Sequence, residues 1–349
     1  MASFPAIDAL RKWNPPPDWP RITTLDAHTG GEPLRIIVSG FPDLPGDSIL
    51  ARRKHLKETY DHLRRAIMWE PRGHREMYGC LVTPPVTPGA DFGVLFMHNE
   101  GYSTMCGHGI IAIATVAVHA GMVAVMEPET VIRIDTPAGL VTARAQVDGR
   151  RATAVRFRNV PSFVVALDET VEVPGLGAIT YDLAFGGAFY AYVQAGQVGL
   201  RCVPEELPTL VAKGMAIKRA IMAAREIPHP FEKDLGFLYG TIFIAPPIGG
   251  GADSRNVCIF ADGEVDRSPT GTGVSGRMAI HYARQQITRD QPYVIESIVG
   301  SRFTGRVLDT TSCGPYAAVI PEVEGRAYIT GRNEFTLDPN DSFRTGFLL

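Results

Sequence analysis

Alternating apolar and polar positions, interrupted twice by paired glycines, are the first legible feature of the chain. Residues 22–40 (ITTLDAHTGGEPLRIIVSG) and 179–196 (ITYDLAFGGAFYAYVQAG) each read strand, Gly-Gly, strand, Gly, and Gly30-Gly31 is matched by Gly186-Gly187. A two-residue period broken by a glycine pair predicts a hairpin in each half. A helical period follows both. Residues 52–69 place Leu56, Tyr60, Leu63 and Ile67 on one face, and residues 208–226 do the same with Leu210, Ile217 and Ile221. Pro71 is expected to close the first helix, and Pro208 suits the first turn of the second. Apolar runs predict strands at 93–98, 131–134, 154–157, 241–245, 257–261, 293–299 and 317–323.

Each half then offers a second, less polar helix introduced by small residues: Cys106-Gly107-His108-Gly109 in the first, Thr270-Gly271-Thr272-Gly273 in the second. The uncharged stretch 109–126 is nearly long enough for a membrane span. It is rich in alanine, contains His119 and is cut by Gly121, so a buried helix followed by a short strand is expected instead. Hairpin, helix, strands and helix, occurring twice, predict duplicated α/β domains whose two glycine-rich helix starts are equivalent points lining a shared site. The linker is expected near 159–168.

Composition narrows the field. With 349 residues, 45% hydrophobic and 20% charged, the chain can bury a large core. Thirty-four basic and 37 acidic residues give a formal net charge of −3, with no basic run or aromatic-basic stripe, so nucleic acid is excluded as a partner. The first 13 residues lack a continuous apolar segment and run into Pro15-Pro16-Pro17, so neither a signal peptide nor a membrane anchor is expected, and the location is read as cytoplasmic. Five cysteines without a CxxC pair argue against a disulfide framework and a structural zinc site.

The chemistry gathers at the two helix starts. A helix N-terminus presents unpaired N–H groups and partial positive charge, which bind anions and lower the pKa of a thiol placed there. Cys106 is therefore a candidate thiolate base, while Cys80, Cys202, Cys258 and Cys313 read as ordinary small residues. Gly107 and Gly109 allow a carboxylate to approach the backbone, and Gly271 and Thr272 offer the same on the other helix. His108 stands at the mouth of the same site, and Asp266 reads either as a solvated turn residue or, in a cleft, as a partner for a substrate ammonium. Residues 271–276 match G-x-G-x-x-G, but Asp266-Arg267-Ser268-Pro269 stands where a dinucleotide site needs a strand. His28, His74, His98 and His108 show no metal-ligand spacing, so no metal and no cofactor are expected.

These residues resemble the proline racemase superfamily, which includes 4-hydroxyproline epimerases and trans-3-hydroxy-L-proline dehydratases. The likeness covers nearly the whole chain. It rests on Asp26-Ala27-His28-Thr29-Gly30-Gly31-Glu32-Pro33, Met105 with the four residues after it, Phe185-Gly186-Gly187, Asp266 through Gly273, and Phe303-Thr304-Gly305-Arg306. The resemblance implies two pseudo-symmetric domains, each a mixed or antiparallel sheet wrapped around a central helix, closing on a hydroxyproline-like imino acid in a homodimer. The domains are expected at 1–163 plus about 335–349, and at 164–334. Carried over residue by residue, Cys106 is the base, Gly107, His108, Gly271 and Thr272 receive the carboxylate, and Asp266 faces the ring nitrogen. Racemases of this kind carry a second cysteine where this chain has Thr270. A hydroxyl cannot replace a thiol in moving an α-proton near neutral pH. The Cys/Thr pair is similar to the dehydratase pattern, so the resemblance implies loss of water from trans-3-hydroxy-L-proline to give Δ1-pyrroline-2-carboxylate, ahead of a racemase, an epimerase, a dinucleotide oxidoreductase or an inert binding protein.

Overall fold

The structure, a computed structural model, describes residues 5–349. After helix α1 (Pro5–Lys12) the period-two pattern builds seven strands, β1 (Arg21–Thr29), β2 (Glu32–Ser39), β3 (Tyr78–Thr83), β4 (Phe92–His98), β5 (Glu129–Thr136), β6 (Gly139–Asp148) and β7 (Arg151–Arg158). The second half adds β8 (Ser162–Val173), β9 (Gly177–Phe185), β10 (Phe189–Gln194), β11 (Leu238–Ala245), β12 (Ser254–Phe260), β13 (Glu264–Val265), β14 (Tyr293–Glu296), β15 (Arg302–Cys313), β16 (Tyr316–Gly325) and β17 (Ala327–Thr336).

Hydrogen bonding arranges these strands in two rings. In the first, β1 to β7 follow one another in order, and the ring closes because β7 pairs with the end of β16 while the continuing strand β17 pairs along β1. In the second, β8 through β12, then β14, β15 and the start of β16 return to β8. Parallel neighbours need a crossover, and they occur at matching places: β2 beside β3 and β4 beside β5 in one ring, β10 beside β11 and β12 beside β14 in the other. The first crossovers hold α2 (Ile49–Thr59), α3 (Asp61–Met68) and α4 (Gly107–His119); the second hold α5 (Leu207–Ala224) and α6 (Gly271–Ala283). Helices α4 and α6 are apolar on nearly every side because each is enclosed by its ring: residues 107–118 of α4 and 271–280 of α6 are all buried. The duplicated α/β architecture read from the sequence is the observed one.

Four local expectations change. The helix expected at 52–69 breaks at Tyr60, whose N–H closes onto Leu56 O while Asp61 begins α3 and pairs with Arg64. The break lets Arg64 turn inward, where its guanidinium donates to the carbonyls of His98 and Asn99. No strand follows α4 at 122–126: Gly121 (φ 68°) and the bond from Met122 N to Ala117 O cap the helix, and Met126 then bonds the Thr130 side chain. The stretch 159–168 is not a free linker, since β8 begins at Ser162. Nor does the return to the first ring wait for residue 335, since Glu322 already pairs with Arg158, and Ala327 with Thr29.

Candidate active site

The two crossovers that deliver α4 and α6 bring their N-termini together. A Cβ built on Gly107 would lie 2.7 Å from Gly271 Cα, and one on Gly271 would lie 2.8 Å from Gly107 Cα, so neither backbone tolerates a side chain here. Two sets of unpaired amide N–H groups and two partial positive charges thus converge on one point, a setting for a carboxylate. Cys106, Gly107, His108, Asp266, Thr270, Gly271 and Thr272 all line a single cavity of about 30 Å³ at this contact. That is roughly the room of one water molecule.

Cys106 caps α4 in an extended conformation (φ −144°, ψ 110°), and its Sγ accepts the Gly109 N–H at 3.3 Å. His108 Nδ1 lies 3.2 Å from the same sulfur. Burial pushes the His108 ring down to about 3, so the imidazole is neutral. The helix start alone predicts a lowered thiol pKa, and the structure reverses that expectation. Burial pushes the Cys106 thiol well up, and the charges of Asp266 and Glu32 add to it, outweighing the Gly109 N–H and the Tyr78 hydroxyl, which favour the thiolate.

Thr270 occupies the matching place on α6 under strain. Its φ of 68° and ψ of 98° are unusual for a β-branched residue, a conformation that costs roughly 1–3 kcal/mol and collects at functional sites. The Thr270 hydroxyl is buried and makes no hydrogen bond of good geometry, although Asp266 and Cys258 lie against it. Next to it, Asp266 Oδ1 accepts the Ser268 N–H at 2.7 Å. Burial raises the Asp266 carboxyl to about 6. Glu32 is pushed up as well, by burial first and then by the Asp266 charge, and its Oε2 accepts the Arg267 N–H at 2.8 Å.

The remaining walls come from residues to which the sequence reading gave no role: Tyr78, Tyr190, Tyr239 and Phe260, with Glu32 behind Asp266. One signal was available. Tyr190 and Tyr192 stand two apart in an apolar strand, and buried phenols need partners. They find them on α6, where Tyr190 OH bonds Thr272 Oγ1 and Tyr192 OH donates to Gly273 O, both at 2.8 Å. Among the described residues no cluster of His, Cys, Asp and Glu is placed to hold a metal ion, and no helix is long and apolar enough to cross a membrane.

Known proteins carry the same plan. The family model described as proline racemase matches residues 24–348. A Colwellia psychrerythraea protein named trans-3-hydroxy-L-proline dehydratase is 51% identical, the match covering 94% of this chain and 92% of that one. A Burkholderia multivorans protein named 3-hydroxyproline 2-epimerase is 48% identical over 94% of this chain and 98% of its own. The crystal structure of an Agrobacterium vitis hydroxyproline epimerase with bound trans-4-hydroxy-L-proline superposes with a TM-score of 0.88 at 32% identity, covering 95% of this chain and 96% of that one. Two rings closed around buried helices, a cysteine and a threonine at their abutting starts, and a match spanning nearly the whole length place this chain in the proline racemase family.

Proposed function

We propose that this chain is a trans-3-hydroxy-L-proline dehydratase, a hydro-lyase that works without a cofactor and uses Cys106 as its base. The observation that carries the reading is the inequality of two otherwise equivalent helix starts, a thiol at one and a strained, unpartnered hydroxyl at the other. Inversion through opposed bases needs a group of thiol-like acidity on each ring face, and Thr270 does not supply one. Elimination needs a single group. In trans-3-hydroxy-L-proline the hydroxyl and the α-hydrogen lie on the same face of the ring, within the reach of one side chain.

The substrate carboxylate sits against the amides of Gly107, His108, Gly271 and Thr272, and the ring ammonium faces Asp266. The Cys106 thiolate takes the α-proton, and the carbanion is held by the two helix N-termini. As its electron pair forms the Cα–C3 double bond, the C3–O bond breaks, and the new thiol returns its proton to the departing oxygen, so water leaves and the thiolate is restored. The enamine then tautomerises to Δ1-pyrroline-2-carboxylate. Thr270 closes the opposite face. The chain works in this reading as two units that part and close, as a homodimer in the cytoplasm; light scattering on the purified protein tests the dimer.

Incubation with trans-3-hydroxy-L-proline, followed by borohydride trapping of the cyclic imine as proline, is expected to give product with no added cofactor. The Burkholderia multivorans name supports a second reading, 2-epimerisation of 3-hydroxyproline. Chiral chromatography of the same mixture, beside L-proline and trans-4-hydroxy-L-proline, separates the two: inverted 3-hydroxyproline without imine overturns the dehydratase reading. Introducing the missing thiol with Thr270→Cys is expected to produce measurable inversion of trans-4-hydroxy-L-proline.

A further inference from the structure

Deprotonating a buried thiol requires donors aimed at the sulfur, and few groups near Cys106 qualify. The titratable side chains facing it are His108 on its own helix, Glu32 on β2, Tyr78 on β3, Tyr239 on β11 and Asp266 in the loop after β13. Asp266 and Glu32 oppose a negative sulfur, His108 is neutral, and Tyr239 is a half-buried phenol held neutral by desolvation. The groups that favour the thiolate are the Gly109 N–H and the Tyr78 hydroxyl. The first belongs to the helix backbone. The second is a side chain that lines the same cavity as Cys106.

Tyr78 opens β3 and is buried, with its ring stacked on His98 at 5.6 Å and meeting His108 edge-on at 4.8 Å. His98 in turn lies 3.7 Å from Glu264 of the other ring. The Tyr78 hydroxyl lies 2.5 Å from Ser103 Oγ. A phenol carries one proton, and burial keeps it in place. If Ser103 donates to the Tyr78 oxygen, the Tyr78 proton is free to point at the sulfur. Ser103 is half-buried, whereas Tyr78 and Cys106 are buried and line the same cavity.

We infer that Tyr78 is a positioning residue for the reaction, its hydroxyl oriented by Ser103 and donating to Cys106 Sγ so that the thiolate forms in the working pH range. The inference rests on the reading of Cys106 as the base. Tyr78→Phe removes the hydroxyl and keeps the ring against His98 and His108. Loss of one hydrogen bond to a charged acceptor raises the midpoint of thiolate formation by about one pH unit.

The test is the pH dependence of Cys106 alkylation by iodoacetamide, mapped by mass spectrometry to separate it from Cys313, beside the pH profile of kcat/KM for trans-3-hydroxy-L-proline. The expected result for Tyr78→Phe is an alkylation midpoint and an acid limb both displaced upward by about one unit, about tenfold in rate below the midpoint, with KM on the alkaline plateau unchanged. Ser103→Ala is expected to move both in the same direction by less, and it decides the matter if Tyr78→Phe does not fold. Unchanged midpoints in the folded variants overturn the role of Tyr78 while leaving the base in place. Full activity of Cys106→Ala overturns the base itself.

Discussion

The starts of α4 and α6 are the same device built twice, and they differ in how comfortable the first residue is. Cys106 sits in an ordinary extended conformation with its sulfur bonded to the Gly109 N–H. Thr270 sits at positive φ with a buried hydroxyl that bonds nothing well. A threonine at the head of a helix usually earns its place as a cap, and here it does not cap. The comparison separates two positions that sequence symmetry suggests are alike: one residue is settled at its helix start, while the other holds a strained shape at the wall of the same cavity. Strain of this kind persists only where the surroundings impose it.

The largest effect expected from breaking the comparison is at the thiol. Cys106→Ala is expected to lower kcat/KM for dehydration by about a thousandfold or more, whereas Thr270→Ala is expected to lose far less, because in the proposed mechanism only one of the two moves a proton. Equal losses in steady-state assays on both variants would make the two helix starts chemical equals after all. Next in size is the glycine contact. Gly271→Ala is expected to push the helix starts apart and cost roughly a hundredfold in kcat/KM, since displacements near 1 Å at a reacting centre have that scale; no loss would mean that the carboxylate does not depend on the close approach.

The smallest effect concerns stability, and it has a sign that can be worked out. The folded-state pKa of Asp266 is raised to about 6 from an ordinary 3.8, so the folded chain holds that proton more tightly than the unfolded chain. The penalty is absent below about pH 4, grows as pH rises through the window, and is complete above about pH 6. Asp266→Asn is therefore expected to raise Tm at pH 7 while impairing activity, and to lose most of that advantage at pH 4. A Tm gain that is the same at both pH values would show that the carboxylate is not under strain.

Much of the site was legible because its chemistry is local. Cys106, Gly107, His108, Asp266 and Gly271 lie in short runs whose residue types announce a helix start, and the structure brings all of them to one cavity. The acidity of Cys106 was not legible, because it depends on Glu32 and Asp266, 74 and 160 positions away in sequence, and on burial that only two closed rings create. Tyr78 and Tyr239 escaped for a related reason: each stands in an apolar strand where nothing adjacent marks it as facing the cleft. Duplication was visible in the Gly-Gly hairpins. The helix break at Tyr60 was not, since Leu56, Leu63 and Ile67 keep their apolar period across it and the cause, the inward turn of Arg64 to His98 and Asn99, is tertiary.

Strand β16, paired with β7, β8 and β15 and continuing into β17, has a consequence for how the molecule is made. The ring around α4 is closed by β17, which ends at Thr336, so the half that carries Cys106 stays open along one edge until Thr336 has left the ribosome. A nascent chain stalled before residue 316 holds two unfinished rings with bare strand edges, a state open to wrong pairing, and the last twenty or so strand residues to be synthesised are the ones that seal both.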